Sequence, residues 1–256
     1  MLSQLSFQRS FWLVKVLLLC LILLGLPLPV LAANQVDPHL EEQILQVIRT
    51  HPEIVIETVR TYQKQQQEKK QQELRAFSQE LITNPKGIIR SSPTNGLAES
   101  KIVLVEFSDF QCPYCAEADK KLKRFMTKHR DEITLTYKHF PLNAIHPEAM
   151  FAASAAWAAG QQGKFWEYHD ALFAQQKKLG ENLYLSIAKT LKLNLAQFNK
   201  DRNGEAANAA IQEDIRLAER LGISGTPFFV MNRETFSGVL PEADIENVLT
   251  RVRNSL

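Results

Sequence analysis

The sequence predicts an α/β fold in which a helical block interrupts the order of strands and helices, and a helical arm precedes that fold. An unbroken apolar run at residues 102–107 is typical of a strand buried on both faces. Residues 146–222 are helical in pattern throughout, and strand patterns return at 222–231 and 236–239. Residues 241–252 predict a closing helix.

The first 32 residues have the pattern of a secretory signal. Arg9 and Lys15 precede an uncharged apolar run at residues 16–30, and Ala32 and Ala33 are small residues suited to cleavage. A retained membrane anchor is the alternative, although the run is short for a membrane span. We therefore expect an exported protein, in the periplasm or an equivalent extracytoplasmic space.

Charge and cysteine content exclude several classes of protein. The whole chain has a net charge of +2, and without residues 1–32 its basic and acidic residues are equal in number. This balance gives no reason to expect nucleic acid as a partner. Loss of Cys20 with the signal leaves only Cys112 and Cys115. A structural disulfide framework or a four-ligand zinc site needs more such residues, so redox chemistry explains the pair better.

Residues 33–84 are predicted to form a helical arm. Asp37 is a candidate N-cap, His51-Pro52 interrupts the helix, and apolar residues share a face on both sides of the break. Residues 63–73 contain only Gln, Lys and Glu, which indicates a solvated helix. An apolar stripe far from the core needs a cover, so we expect self-association through residues 38–62, of unspecified oligomer number.

Turn-forming residues at 84–87 and 91–96 indicate a domain boundary, with Ile88 and Ile89 as an edge strand between them. The second domain is therefore predicted at residues 85–256, with a helical insert at about 146–205. Within this domain, residues 133–140 alternate in polarity and predict a half-buried strand.

The apolar strand ends at the sequence Cys112-Pro113-Tyr114-Cys115. Proline suits the first position of a helix, because its missing N–H would have no partner there. The Cys112 sulfur should then lie beside free N–H groups at the positive end of a helix dipole, which favours the thiolate. Cys112 is the candidate nucleophile. Cys115, almost one turn later, should face inward and act as the resolving thiol.

These residues resemble the DsbA-like thiol-disulfide oxidoreductases of the thioredoxin superfamily. The matching motifs are Glu106-Phe107, the two-cysteine motif, residues 163–170 and Gly225-Thr226-Pro227, which together span about residues 100–254. The resemblance implies a thioredoxin-like fold with a helical insertion. The arm lies outside this pattern and resembles the N-terminal extension of the ScsC-type branch, whose members can oligomerise through it.

The resemblance also implies a substrate-binding role for four residues. Thr226-Pro227 would be a cis peptide whose backbone offers hydrogen bonds to an extended substrate segment. Pro113 and Tyr114 would contact the same substrate from between the cysteines. A trans proline that starts an edge strand is the alternative at position 227.

Glu106 matches the family's acidic residue beneath the active site. In an apolar setting its pKa would be raised, and it would exchange protons with Cys115. A strand-end glutamate that reaches solvent is the alternative, and Asp109 is a less favoured substitute. For His139, His146 and His169 we expect structural roles and no metal. A metal site would require His139 or His146 to approach the thiols.

We therefore expect an exported enzyme that exchanges disulfides with unfolded or partly folded proteins and is reset by a membrane or soluble redox partner. Its redox group would be the Cys112–Cys115 disulfide, with no other cofactor. No histidine lies between the cysteines, unlike in strongly oxidising members, which favours an isomerase or reductase over a DsbA-type oxidase. A non-catalytic chaperone-like holder and a metal-binding module remain alternatives of other classes.

Overall fold

The computed structural model describes residues 37–256, so the signal predicted at residues 1–32 lies outside the described residues. The chain divides into two units, which meet between Thr61 and Tyr62. Across residues 37–256, no helix has the length and apolar character needed to cross a membrane.

The described part of the first unit contains α1 (Pro38–Thr50) and the start of α2 (Pro52–Thr83). Asp37 caps α1, because its side chain accepts a hydrogen bond from an N–H of the first turn. The helix ends at His51, and Pro52 begins the next one, as the sequence predicts. No side chain of α1 is buried.

The second unit contains the rest of α2 and a five-stranded sheet with further helices. Its elements in order are α3 (Pro85–Ile89), β1 (Thr94–Gly96), β2 (Ile102–Ser108), α4 (Pro113–His129), β3 (Ile133–His139), α5 (Ala149–Gln161), α6 (Phe165–Ala174), a 3₁₀ turn (Gln176–Lys178), α7 (Glu181–Thr190), α8 (Leu195–Arg202), α9 (Glu205–Arg220), β4 (Phe228–Met231), β5 (Glu234–Ser237) and α10 (Glu242–Arg253).

The order of strands in the sheet is β1-β3-β2-β4-β5. Strands β2 and β3 are parallel, and the other neighbours are antiparallel. This is a thioredoxin-like fold in which α5–α8 are inserted between β3 and α9.

Strand β2 is buried along its whole length because helices cover both faces of the sheet. Leu104 belongs to a core that includes Leu122 of α4 and Leu249 of α10. Val105 points to the opposite face and packs in a core with Phe77 of α2. The unbroken apolar pattern of β2 is therefore the consequence of a two-sided burial.

The domain boundary lies earlier than the predicted position between residues 84 and 85. Residues 62–83 belong to the second unit, because Phe77 and Leu81 are buried in the core that includes Val103. The sequence pattern misses this boundary because the polar residues 63–73 come before the buried side chains that attach the same helix to the core. The prediction that the whole of 33–84 forms a separate arm is thus wrong in its C-terminal part.

Three local predictions also differ from the structure. Ile88 and Ile89 lie in helix α3 and not in an edge strand, because Asn84 caps that helix and Pro85 begins it. The turn residues at 94–96 form β1, which pairs with β3 through its backbone. Strand β3 is buried throughout rather than half-buried, and Lys138 on its expected polar face pairs with Asp214 of α9 at 3.2 Å.

Candidate active site

The candidate site is built at the start of helix α4. Cys112 is the residue just before the helix, in an extended conformation (φ −70°, ψ 121°), and Pro113 occupies the first helical position. The Cys112 carbonyl accepts hydrogen bonds from the N–H groups of Cys115 at 3.1 Å and Ala116 at 3.3 Å. Because Cys112 is the residue that precedes the first turn, its sulfur lies at the positive end of the helix dipole, and it makes no cap hydrogen bond.

The two thiols have opposite electrostatic surroundings. The pKa of Cys112 falls to about 5, chiefly through the adjacent Cys115 thiol and, further, through the Thr226 side chain and nearby backbone N–H groups, although burial opposes this. Cys115 is fully buried, and burial raises its pKa well above the ordinary value. At neutral pH the structure therefore favours a thiolate at Cys112 and a protonated thiol at Cys115.

The loop before β4 meets this thiol pair. The Thr226-Pro227 peptide is cis, as the resemblance implies. The Cys112 sulfur lies 3.4 Å from the Thr226 carbonyl oxygen, to which it donates a hydrogen bond when it is protonated. Pro113 and Tyr114 are exposed, and Tyr114 retains 66% of its accessible surface. All four residues expected to contact substrate are thus beside or between the cysteines.

Glu106 lies on β2 and is 1% exposed, which is contrary to the alternative of a glutamate that reaches solvent. Its Oε1 atom has no hydrogen-bond partner. Burial is the main cause that raises its pKa from 4.5 to about 8, and the Asp119 carboxylate adds to this effect. Ser108 and Lys123 act in the opposite direction. A carboxyl group that titrates near neutral pH is suited to accept or donate a proton.

Each of the three histidines is held by packing or by a carboxylate. His139 ends β3 and is buried, and this burial lowers its pKa to about 3. The His146 Nδ1 atom is 2.7 Å from an Asp109 oxygen, and the His169 Nδ1 atom is 2.9 Å from an Asp170 oxygen. These contacts agree with the structural roles expected for them.

Among the described residues, potential metal ligands converge at Asp119, His169 and Asp170. The Lys123 ammonium group already contacts both carboxylates, at 2.7 Å from Asp119 and 2.9 Å from Asp170. A metal ion would have to displace this cation. The group includes neither cysteine, so it is separate from the metal site that the sequence left open as an alternative.

Contacts that the sequence did not predict fix the turn before Cys112. Asp109 accepts hydrogen bonds from the N–H groups of Gln111 at 2.7 Å and Leu142 at 2.9 Å. The Gln176 amide, from the helical insert, donates to the carbonyls of Phe110 and Cys112, both at 2.8 Å. Asp109 is therefore a turn-forming residue rather than a substitute for Glu106.

A family model described as a DSBA-like thioredoxin domain matches residues 103–250. The chain belongs to this family. The match extends from β2 into α10, and it therefore includes both cysteines, the helical insert and the cis-proline loop.

Among curated proteins, the chain is similar to part of the Na(+)/H(+) antiporter NhaA 1 of Salinispora arenicola. The two are 38% identical over 143 residues, which are 56% of this chain and 22% of that protein. The chain thus matches about a fifth of the length of that antiporter.

Two solved structures extend the comparison. A thioredoxin-like oxidoreductase from Silicibacter pomeroyi is 30% identical, with a TM-score of 0.61, over 67% of this chain and 98% of that one. Proteus mirabilis ScsC is 21% identical, with a TM-score of 0.60, over 89% of this chain and 99% of that one. The likeness of fold to ScsC therefore reaches beyond residues 103–250.

Proposed function

We propose that this DsbA-like protein is a protein thiol-disulfide oxidoreductase, with Cys112 as nucleophile and Cys115 as resolving thiol. The observation that carries the proposal is the contrast between the two sulfurs. One lies at a helix N-terminus with a pKa of about 5, and the other is buried with a raised pKa. Such a contrast separates an attacking group from a group that must wait for deprotonation.

In the first step the Cys112 thiolate attacks one sulfur of a substrate disulfide. A bond forms between Cys112 and that sulfur, the substrate S–S bond breaks, and the other substrate sulfur leaves as a thiolate. The backbone beside Pro227 offers hydrogen bonds to the extended substrate segment, as in β-strand addition. Exposed Tyr114, between the two cysteines, offers a further apolar contact to the substrate.

In the second step Cys115 loses its proton to Glu106 and attacks the Cys112 sulfur. The Cys112–Cys115 disulfide forms, the bond between Cys112 and the substrate sulfur breaks, and that sulfur leaves as a thiolate. Two electrons pass from the protein to the substrate, so the protein is oxidised and the substrate is reduced. The same steps in reverse donate a disulfide to the substrate. The reaction then needs no redox group other than the Cys112–Cys115 pair.

The pKa of Cys112 supports a potential between those of the extreme members of the superfamily. Its value of about 5 lies between about 3.5 for DsbA and about 7 for thioredoxin. A lower pKa stabilises the reduced form and makes the disulfide a stronger oxidant. We therefore favour an isomerase or reductase, with a DsbA-type oxidase as the alternative.

Exposed apolar side chains near the site support unfolded proteins as substrates. Ile145 and Phe151 retain 70% and 61% of their accessible surface. They are close in sequence to His146 and Glu148, which are hydrogen-bonded to Asp109 and Gln111 just before Cys112. Unfolded exported chains expose apolar segments that such a surface can hold. Export, and a membrane or soluble partner that resets the cysteines, belong to the same proposal.

The direct test is the reduction potential of the chain that begins at Ala33, measured by equilibration in glutathione buffers and alkylation of free thiols. We expect a value in the range of roughly −180 to −270 mV spanned by protein disulfide isomerase and thioredoxin. A value near about −120 mV would identify a disulfide donor instead. Reactivation of scrambled ribonuclease A, measured in parallel, should be lost in Cys112→Ser.

The Cys115→Ser variant is the matched control, because it keeps the nucleophile and should accumulate mixed disulfides at Cys112. If Cys112→Ser retained the full effect on ribonuclease, the protein would be a holder of unfolded chains and not a redox enzyme.

A further inference from the structure

Two polar side chains of β2 are placed one above the other beneath the thiols. Glu106 and Ser108 are two residues apart, so they project from the same face of the strand. In the parallel register they lie opposite Tyr137 and His139 of β3. Tyr137 belongs to the core that contains Cys112 and Cys115, so this face of the sheet lies under the active site.

Both side chains are buried, and each has a polar atom without a hydrogen-bond partner. Ser108 and Glu106 are each 1% exposed, and neither the Ser108 hydroxyl nor the Glu106 Oε1 atom has a partner of normal geometry. An unsatisfied buried polar group destabilises the fold, so such groups in native proteins call for an explanation, and a catalytic role is one.

The Ser108 hydroxyl acts on both ends of the proton transfer that the proposed function requires, although it forms a hydrogen bond of normal geometry with neither. It lowers the pKa of Glu106 and also that of Cys115. The Tyr137 hydroxyl also has no hydrogen-bond partner. Burial raises its pKa, and Ser108 acts in the opposite direction. A hydroxyl can donate one hydrogen bond while it accepts another, whereas the surrounding apolar side chains can do neither.

We propose that Ser108 is a catalytic residue whose hydroxyl relays a proton between the Cys115 thiol and the Glu106 carboxylate. The inference rests on the proposed function, since it concerns the second step of that reaction. The Cys115 S–H proton passes to the Ser108 oxygen while the Ser108 O–H proton passes to Glu106. Serine is regenerated, Glu106 becomes neutral, and the Cys115 thiolate forms the disulfide with Cys112. In the reverse reaction the protons return by the same route.

The relay predicts a particular pH profile for the second step. The rate should rise with pH as Glu106 ionises, with a midpoint near about 8. The titratable groups that face Glu106 and Ser108 are those on β3, α4 and α6: Tyr137, His139, Cys115, Asp119, Lys123, His169 and Asp170. His139 stays neutral across this range because its pKa is about 3, and Lys123 stays charged because its pKa is raised.

The test compares Ser108→Ala with Thr136→Val, which removes another buried, unpartnered hydroxyl from the neighbouring strand. Thr136 is paired with Val105, on the opposite face of the sheet from Ser108. Each reduced protein is mixed with oxidised glutathione, and acid-quenched samples are resolved by mass spectrometry. Formation of the Cys112–glutathione adduct and its resolution by Cys115 are then separate rates.

We expect Ser108→Ala to form the adduct at the wild-type rate and to resolve it about ten-fold more slowly, a modest part of what positioned proton transfer contributes. The inflection near pH 8 should disappear. Thr136→Val should match wild type in both steps. The double variant with Glu106→Gln should be no slower than either single variant, because the two residues act as a unit.

Resolution of the adduct by Ser108→Ala at the wild-type rate, with the pH 8 inflection intact, would overturn the relay. Ser108→Thr retains the hydroxyl and should keep the rate, so slow resolution by a folded Ser108→Thr protein would also overturn it. If wild type formed no adduct at all, the proposed function would fail instead, and the two failures are therefore distinguishable.

Discussion

At the scale of single residues, the site depends on the different surroundings of three acidic groups. Cys112 and Cys115 are three positions apart, yet their pKa values move in opposite directions. The Cys115 thiol is the main cause that lowers the pKa of Cys112, with helix N–H groups adding to it, whereas burial raises the pKa of Cys115. Burial also raises the pKa of Glu106, to about 8. Two acids with raised pKa values in one core can exchange a proton at small cost.

The buried carboxyl group should make the protein less stable as the pH rises. Between its ordinary pKa of 4.5 and its folded value of about 8, the folded state binds more protons than the unfolded state, so stability falls through this window. Glu106→Gln removes the titrating group. We expect it to raise the free energy of unfolding at pH 8 by on the order of 2–4 kcal/mol and to change it little at pH 4.

Urea denaturation of the reduced protein at both pH values measures this difference. Glu117→Gln is the control, since Glu117 is an exposed carboxylate on the helix α4. An equal gain at pH 4 and pH 8 would mean that Glu106→Gln stabilises the core by packing, and it would contradict the raised pKa.

At the scale of elements, the helical insert takes part in the active site through one side chain. Gln176, in the 3₁₀ turn after α6, donates to the carbonyls of Phe110 and Cys112. The Cys112 carbonyl has other donors in α4, whereas the side chain of Gln176 is the donor that the structure shows for Phe110. This contact connects the insert to the turn that presents the nucleophile.

Gln176→Ala should therefore lower the free energy of unfolding by about 1–3 kcal/mol, the cost of leaving a buried carbonyl without its donor. Gln175→Ala is the matched control, because the neighbouring glutamine is exposed and such surface changes usually stay within about 0.5 kcal/mol. Equilibrium unfolding in urea gives both values. Equal stability of the two variants would show that the hydrogen bonds of the Gln176 side chain add nothing to the stability of the fold.

The elements also show what the sequence can and cannot predict. Strand β2 and the start of α4 were predictable because local patterns determine them, whereas the cis peptide at Thr226-Pro227 was expected only from the resemblance to the family. Strand β1 consists of turn residues and exists only through its pairing with β3. The alternation of β2 places Ser108 on the face of Glu106, a signal that was available in the sequence, but the contact of Gln176 depends on tertiary packing.

At the scale of the whole molecule, apolar surface remains exposed in the first unit. All residues from 37 to 61 are exposed in the described chain. Leu40, Ile44 and Ile48 follow at helical spacing on one face of α1, and each keeps 43–49% of its accessible surface. A monomer rarely exposes such a continuous stripe, which is a reason to propose a second copy of the chain as its cover.

We expect the chain that begins at Ala33 to sediment as an oligomer, and a variant with Leu40, Ile44, Val47 and Ile48 all replaced by Gln to sediment as a monomer. The replacements remove apolar surface that would be buried between copies, and burial of such surface stabilises an oligomer by roughly 25 cal/mol per Å². The double variant Glu42→Gln, Arg49→Gln is the control, because it changes exposed polar residues of the same helix and should leave the oligomer intact.

A wild-type monomer at concentrations of tens of micromolar would refute self-association through α1. An oligomer that survived the four replacements would place the interface elsewhere. The reduction potential of both variants should equal that of the wild-type chain, because Cys112, Cys115 and Glu106 lie within the second unit.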